Sequence, residues 1–593
     1  MRFRVWAPGS DRVDVITFPD EQRYSLEATG DGYHAGIVGG LSARARYRYR
    51  LDGRASYPDP ASRSQPQGVH GPSEVIDPEA FRWTDANWSG VPLPDLVIYE
   101  LHVGTFSPGG TFDSAIDRLD AVVQLGATAI EVMPIAEFAG TRNWGYDGVG
   151  LFAPASAYGG PEAFKRLVDA AHRHGLCVIL DVVYNHLGPE GNYLRAVTAG
   201  RFFTDRHHTP WGEAINYDGR DSGPVRDFVI QNALYWADEY HVDGLRLDAT
   251  HAIVDESPVH ILRELADTLH ALERPRLVIA EDERNEARLI LPASAGGYGL
   301  DAVWADDLHH QLRRLTAGDS DRYFGRYRGT VEEIVTTLRD GWFREASAAS
   351  DATHEKSAQA RRFPPGAFIH CIQNHDQVGN RPMGERLNQD IPLALYRALS
   401  ALLLLSPYTP LLWMGQEWAA STPFQFFTDF PEELGRLVTE GRRNEFKALR
   451  ERIPDPQAKD TFDRSKLRWE ERSDPPHREM LALYSDLLAV RRSHPALRSQ
   501  DRKHFTVTVL GDRALSLCRS APDGEAILVV VNFAGELRFR AEDRPDTSPP
   551  SGRHWRLHLT TEAERFGGAS NAVRLDPEGQ LTIPSPAAIV LRS

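Results

Sequence analysis

From about residue 96 the chain alternates between two hydrophobic patterns. Short runs with almost no polar interruption, such as LCVILDVVYN, are followed by stretches with apolar positions every three to four residues, such as PEAFKRLVDAAHRHG. The first pattern predicts strands buried on both faces and the second predicts amphipathic helices. Eight strand candidates follow one another: LVIYELHV, ATAIEVMPI, LCVILDVVYN, GLRLDA, RLVIAED, AVWADD, FIHCIQNHD and TPLLWMGQE. Between them, TFDSAIDRLDAVVQLG reads as one amphipathic helix ended by Gly126. PEAFKRLVDAAHRHG reads as a helix with Pro161 in its first turn and Gly175 at its close. This alternation predicts an α/β chain whose centre is a (β/α)8 TIM barrel rather than an open sheet.

The flanks have a different period. In residues 1–90, FRVWAP, VDVITF, YHAGIV and RYRYRLDG run β-rich with Gly, Pro and Asp between them, which predicts an N-terminal β-sandwich. The stretch Tyr57 to Ser73 is rich in Pro, Ser and Gly and reads as an ordered loop lying on a neighbour, or as a linker. The barrel is expected over 91–500, with insertions at 186–222 and 308–362. The first, rich in Gly, aromatic and charged residues, reads as an active-site loop. The second holds a helix in TVEEIVTTLRDGWF and a polar run, ASAASDATHEKSAQA, that reads as mobile. After 500 the β pattern returns in KHFTVTVL, ALSLCRS, AILVVVNFA and HWRLHLT, so 501–593 is expected to be a C-terminal antiparallel β-sandwich.

Composition narrows the class. The 593 residues carry 67 basic and 83 acidic side chains, a net charge of −16. That argues against nucleic acid or an anionic membrane as partner and suits a neutral substrate. The three cysteines, Cys177, Cys371 and Cys518, are far apart and set in apolar runs. They read as buried free thiols in a reducing compartment. The opening MRFRVWAPGS lacks the apolar core of a signal peptide, and the apolar stretch Leu393 to Leu412 is too interrupted to span a bilayer. A cytoplasmic location is expected.

Four of the strand runs end in chemistry-bearing residues: DVVYNHLG in Asn185 and His186, GLRLDAT in Asp248, VIAED in Glu281 and QNHDQVGN in Asp376. Carboxylates are poor strand residues and are seldom buried without a partner. Several of them at strand ends point to a shared site at the carboxyl ends of the barrel strands. Arg246 and Asp248, at i and i+2 of one strand, face the same way. The guanidinium would hold Asp248 ionised, as a glycosyl nucleophile requires. Glu281, one βα unit on and beside Val278 and Ile279, could be raised into a general acid. Asp376 would then stabilise the cationic transition state and bond sugar hydroxyls. Taken singly, each has a plainer reading: a strand-end Asp as a helix cap, Arg246 with Asp248 as a structural ion pair, His186 or His375 as a packed histidine. These plainer readings would have to hold at four strand ends at once.

The four strings resemble, in order and placement, the four signature regions of the α-amylase family of glycoside hydrolases, over roughly residues 96–500. The resemblance implies Asp248 as nucleophile, Glu281 as acid/base and Asp376 as transition-state stabiliser. It also implies that Arg246, His186 and His375 contact the sugar at subsite −1, with Tyr146 of NWGYD stacked on it. Further stretches, among them SRSQPQGVHGPSEV, TPWGEAINYDG and the run from Gly415 to Phe446, are similar to members that cut the α-1,4 bond beside a terminal trehalose unit. The implied partners are maltooligosyltrehalose and related α-glucans. Trp144, Trp211 and Phe426 are candidate stacking platforms. Trp304, Asp306 and Asp307 are candidates for the trehalose subsites. Many family members bind calcium near the counterpart of Asn185, but the insertion here offers no acidic cage, so neither metal nor cofactor is expected in the chemistry. Two alternatives stand beside this reading: a glycogen branching or debranching enzyme acting on α-1,6 linkages, and a non-catalytic glucan-binding barrel. The second would be expected to lack a carboxylate or Arg246, and all four groups are present.

Overall fold

The eight predicted runs close into a parallel barrel in the computed structural model, which describes residues 1–343, 360–569, 573–576, 579–583 and 586–593. The strands are β1 (Ile98–Leu101), β2 (Ala129–Val132), β3 (Cys177–Val182), β4 (Gly244–Leu247), β5 (Leu277–Glu281), β6 (Ala302–Trp304), β7 (Phe368–His370) and β8 (Thr409–Trp413). Each pairs with the next, and β8 returns to β1. The register sets Asp181 of β3 beside Arg246 of β4 and Glu281 of β5 beside Trp304 of β6. Every residue of β3 and β4 is buried, which is why these runs show no polar alternation.

The helices follow the 3.6-residue pattern with one departure. TFDSAIDRLDAVVQLG forms two helices, Phe112–Ile116 and Leu119–Leu125, instead of one. The first packs on the helix Gly160–Arg173 and the second on His477–Ser493, so the chain turns between two partners. Gly126 ends the second helix with φ of 107°, a left-handed conformation that favours glycine. The apolar run from Leu393 forms a buried barrel helix, Leu393–Leu405. Among the described residues no helix is long and apolar enough to cross a membrane.

The N-terminal strands form two small antiparallel sheets, one of Arg2–Trp6, Tyr33–Ile37 and Glu27–Gly30, the other built around Val13–Phe18 and Arg46–Leu51. The loop after Tyr57 is ordered and lies on the first insertion: His70 Nδ1 is 2.7 Å from Tyr193 Oη, and the Tyr57 and Tyr193 rings meet at 5.4 Å. That insertion carries a hairpin, Phe203–Thr209 with Gly212–Ile215, which places Trp211 at its tip. The second insertion holds the expected helix, Val331–Asp340; its polar run lies outside the described residues, Ala360 excepted. A five-stranded sheet begins at Phe505 and packs on the barrel helix Leu393–Leu405. There Arg397 meets Glu562 in a buried bidentate pair at 2.7 and 2.8 Å. The three cysteines are unpaired; Cys177 and Cys371 are buried, and Cys518 is half-buried rather than buried.

Candidate active site

Arg246 organises the carboxyl end of the barrel. It is fully buried. Its Nη1 donates to Asp181 Oδ1 and Oδ2 at 2.9 and 2.8 Å and to Asp248 Oδ1 at 2.9 Å. Its Nη2 lies 3.3 Å from Glu281 Oε2. A buried charge is tolerated when it is paired, and this one is shared among three carboxyl groups on three adjacent strands. Its other face rests on the Trp304 ring, 4.2 Å from the ring centre. Asn185 Nδ2 donates to Asp248 Oδ2 at 2.7 Å and to the Asp248 carbonyl at 2.8 Å, so both Asp248 carboxylate oxygens are held.

Glu281 is fixed from the neighbouring strand end. The Ala249 amide donates to Glu281 Oε2 at 2.6 Å, and Thr250 Oγ1 donates to the Glu281 carbonyl at 2.9 Å. Ala249 has φ of 41°. An alanine in that left-handed conformation costs on the order of 1 kcal/mol, and here it aims its amide at the carboxyl group. Burial pushes Glu281 up to about 8 against the opposing pull of Arg246, with Asp248 and Asp376 adding to the rise. Burial likewise raises Asp181 to about 7, although Arg246 lies against it.

Asp376 lies in the first turn of a short helix, His375–Gly379, and its side chain is 37% exposed. It accepts from Asn380 Nδ2 at 3.1 Å and lies 3.4 Å from His375 Nε2. Burial alone would lower the pKa of His375, but the carboxylates of Asp376 and Glu100 outweigh it and carry it up to about 9. Glu100 of β1 accepts from the His375 amide at 3.1 Å and pairs with Nδ1. Tyr146 Oη donates to Asp181 Oδ2 at 2.6 Å and sits 2.8 Å from His375 Nε2, its ring stacked on the imidazole at 5.1 Å. Tyr146, Asp181, Arg246, Asp248, Glu281, His375 and Asp376 are thus linked in one polar network. His186 joins it through Asn185, whose Oδ1 pairs with His186 Nδ1.

The aromatic candidates divide. Trp211, 50% exposed, lies parallel to His186 at 4.4 Å with an interplanar angle of 4°. It extends the floor of the site outward. Trp144 is buried, stacked on Phe424 at 5.1 Å, with Nε1 donating to the Gln425 carbonyl; it packs beneath the site and offers no open face. Phe426 is partly buried, edge-on to Trp144. Trp304 also departs from expectation. It is buried in the barrel interior with Ile98, Ala129 and Ile369, because it lies two residues from the inward-facing Ala302 on β6 and so points the same way, beneath Arg246. Asp307 departs as well. Its carboxylate accepts from Tyr327 Oη, Asn285 Nδ2 and the Phe343 amide at 2.6, 2.9 and 2.7 Å, so it anchors loops. Asp306 alone of the three keeps a half-buried carboxyl group facing Asp376, raised to about 7 by burial and then by Asp376 and Asp307.

A model of the α-amylase catalytic domain matches residues 57–217. Over 96% of its length the chain is 44% identical to the malto-oligosyltrehalose trehalohydrolase of Deinococcus radiodurans, covering 94% of that protein. It is 41% identical to the protein of the same name from Rhizobium sp. strain M-11, covering 100% of this chain and 97% of that one. The chain belongs to the malto-oligosyltrehalose trehalohydrolase family. A crystal structure of a candidate α-amylase from Salmonella typhimurium matches over 100% of this chain and 97% of its own, with a TM-score of 0.87 and 36% identity. The chain is therefore a glycoside hydrolase of the α-amylase type, which sets aside both the branching or debranching reading and the non-catalytic barrel.

Two members of the network in this trehalohydrolase-family chain escape the sequence reading: Asp181, which takes both the Arg246 fork and the Tyr146 hydroxyl, and Glu100, which holds His375. Both carry the mark that singles out Asp248, an acid inside a run buried on both faces, but they sit within the run and not at its end. Glu131 of β2 carries it too; it is buried without a hydrogen-bond partner among the described residues, and burial raises it far above the carboxylate range. As for metals, Asn185 already commits its amide to Asp248 and His186. Among the described residues, His207, Asp218 and Glu256 form the one group close enough to hold an ion. Arg206 already lies 3.0 Å from Asp218 and 3.3 Å from Glu256.

Proposed function

We propose that the enzyme hydrolyses the α-1,4 bond next to the terminal trehalose of maltooligosyltrehalose, releasing trehalose and a maltooligosaccharide with retention of configuration. One observation carries the mechanism: a single guanidinium touches both Asp248 and Glu281. Contact with one guanidinium, at 2.9 Å from Nη1 to Asp248 Oδ1 and 3.3 Å from Nη2 to Glu281 Oε2, favours the short, retaining separation of about 5–5.5 Å over the roughly 6.5–9.5 Å that inversion needs. Asp248 attacks the anomeric carbon and forms a glycosyl ester. The bond to the trehalose oxygen breaks as Glu281, protonated near neutral pH, gives that oxygen its proton. Water enters once trehalose has left, Glu281 takes a proton from it, and its oxygen displaces Asp248. Asp376 faces the ring hydroxyls and the positive charge that develops on the sugar, while Tyr146 and His186 line subsite −1. The identity to relatives named for this activity supports the substrate, and the unpaired cysteines support a cytoplasmic setting.

Supplying maltotriosyltrehalose and, separately, an α-1,6-branched glucan, then identifying the products by chromatography, tests the assignment. Free trehalose with maltotriose is expected from the first and no cleavage from the second; linear chains released from the branched glucan would refute it. The first-formed maltooligosaccharide is expected as the α anomer by NMR in fresh buffer, and initial β anomer would rule out double displacement. Specificity for trehalose follows from hydroxyls redirected by the 1,1 linkage. Groups placed for them, Asp306 foremost, stay unpaired when maltose occupies the same subsites. At roughly 1–3 kcal/mol for each unpaired buried group, two such losses give about 10²-fold discrimination. kcat/KM for maltotriosyltrehalose should exceed that for maltopentaose by at least that factor, and equal values would mark a general amylase.

A further inference from the structure

Alternate residues of the first three barrel strands build a layer of acids beneath the sugar site. Ile98 of β1, Ala129 of β2 and Ile179 of β3 pack together in the barrel interior. Glu100, Glu131 and Asp181, each two residues further on, therefore point the same way. Glu131 stands level with Glu100 in the parallel register, which sets two acids side by side on strands about 4.8 Å apart. Two carboxyl groups that close in a buried interior do not both ionise. Donors decide which one does. Glu100 accepts from the His375 amide at 3.1 Å and pairs with His375 Nδ1, and hydrogen bonds to the charged form favour that form. Both Glu131 oxygens are buried with no partner among the described residues. Burial first, and Glu100 next, push the Glu131 carboxyl well above its ordinary range. The contrast makes Glu131 the neutral acid of the pair and Glu100 the anion.

Tyr146 fixes the state of the other ring nitrogen. A phenol has one proton to give, and Tyr146 gives it to Asp181 Oδ2 at 2.6 Å. Its oxygen can then only accept from His375 Nε2, 2.8 Å away. Asp376 Oδ1 lies 3.4 Å from the same nitrogen. Both ring nitrogens thus face acceptors, and His375 carries two protons. Arg246 opposes this charge but is itself shared with Asp181. His102, whose pKa burial lowers to about 4, and Cys371 beside Glu100, a thiol whose pKa burial raises, add no charge of their own. We infer that Glu100 is a positioning residue for the hydrolysis: it holds His375 as an imidazolium whose Nε2–H is aimed at Asp376 and at the sugar in subsite −1, and the neutral Glu131 beside it leaves it the charge, an inference that rests on the reading of the site proposed above. A bond to a ring hydroxyl that strengthens in the transition state lowers the barrier without tightening the substrate's hold.

Neutron diffraction from wild-type crystals grown in heavy water near neutral pD tests the charges without any substrate. Deuterium is expected on both ring nitrogens of His375 and on the Glu131 carboxyl, with none on Glu100. A bare His375 nitrogen, or deuterium on Glu100, overturns the inference. Kinetics on maltotriosyltrehalose test the role. Glu100→Gln removes the anion, so kcat should fall by on the order of tenfold or more, the worth of one hydrogen bond to a charged group. KM should stay within about threefold, as for a contact made chiefly in the transition state. The alkaline limb of kcat, set in the wild type by Glu281 at about 8, should move to lower pH. Against burial, Asp376 and Glu100 together carry His375 up to about 9, and without Glu100 its proton leaves earlier. Glu100→Asp keeps the charge and should restore the wild-type limb, and Glu131→Gln, neutral for neutral, should leave the limb in place. An unmoved limb with wild-type kcat in Glu100→Gln, or an equal displacement in Glu131→Gln, also overturns the inference. If Glu100→Gln does not fold, the wild-type neutron map decides alone. A wild-type enzyme that released no trehalose would refute the proposed substrate and leave the neutron result standing.

Discussion

Replacing Asp248 by Asn is expected to lower kcat on maltotriosyltrehalose by on the order of 10⁴-fold or more, the scale seen when a nucleophile is deleted from a preorganised site. The amide is isosteric but cannot form the glycosyl ester. It also disturbs its surroundings in a definite way. Asp248 now accepts from Arg246 on one oxygen and from Asn185 on the other. An amide must present its NH2 to one of those donors, so one pair becomes donor against donor. Leaving one such group unsatisfied costs about 1–3 kcal/mol, which should appear as a lower Tm in a protein that still melts cooperatively. The two effects are separable: mass spectrometry of wild type with a slow, activated substrate should show a glycosyl adduct on Asp248, and the folded variant should show none. Activity within tenfold of wild type in the folded variant would remove Asp248 from the nucleophilic role.

Glu281→Gln is expected to cost roughly 10²–10⁴-fold on the same substrate, the usual worth of a positioned general acid. The sign of its pH dependence follows from its state. Burial holds Glu281 up to about 8, so the protonated, active form predominates below that pH. As pH rises through about 8 the proton is lost and kcat/KM falls. The variant should show no alkaline limb there, because its amide does not titrate in this range. With a glycosyl fluoride, whose leaving group needs no proton, the first step should recover much of its rate. An unchanged alkaline limb in the variant, or equal losses on both substrates, would assign the acid elsewhere.

The barrel was legible because β3 and β4 bury every residue and so lack polar alternation, a signal that survives without any partner strand in view. Asp248, Glu281 and Asp376 were legible because an acid ends an apolar run. Asp181 and Glu100 bear the same chemistry but fall inside their runs, where sequence gives no sign of the Arg246 fork or of His375 arriving from β7. The aromatic residues were harder, since Trp144 and Trp211 look alike in composition. Packing separates them: Phe424 covers one, while a hairpin tip carries the other to His186 across 25 residues of chain. Trp304 and Asp307 lie elsewhere than the spacing suggests because neither the direction of a side chain at the end of β6 nor the three donors around Asp307 can be read from it.

The shared guanidinium has a consequence for the course of the reaction. Before attack, Asp248 carries a negative charge and Glu281 a proton. After attack, Asp248 is a neutral ester and Glu281 the anion. The departing trehalose and the bound sugar are both uncharged, so the sum over the two acids is the same on either side of the step. Arg246 meets one anion from this pair throughout, first through Nη1 and then through Nη2. Charge therefore migrates across a fixed cation without any ion entering or leaving the barrel, and the glycosylation step should proceed at a rate nearly indifferent to the salt concentration outside.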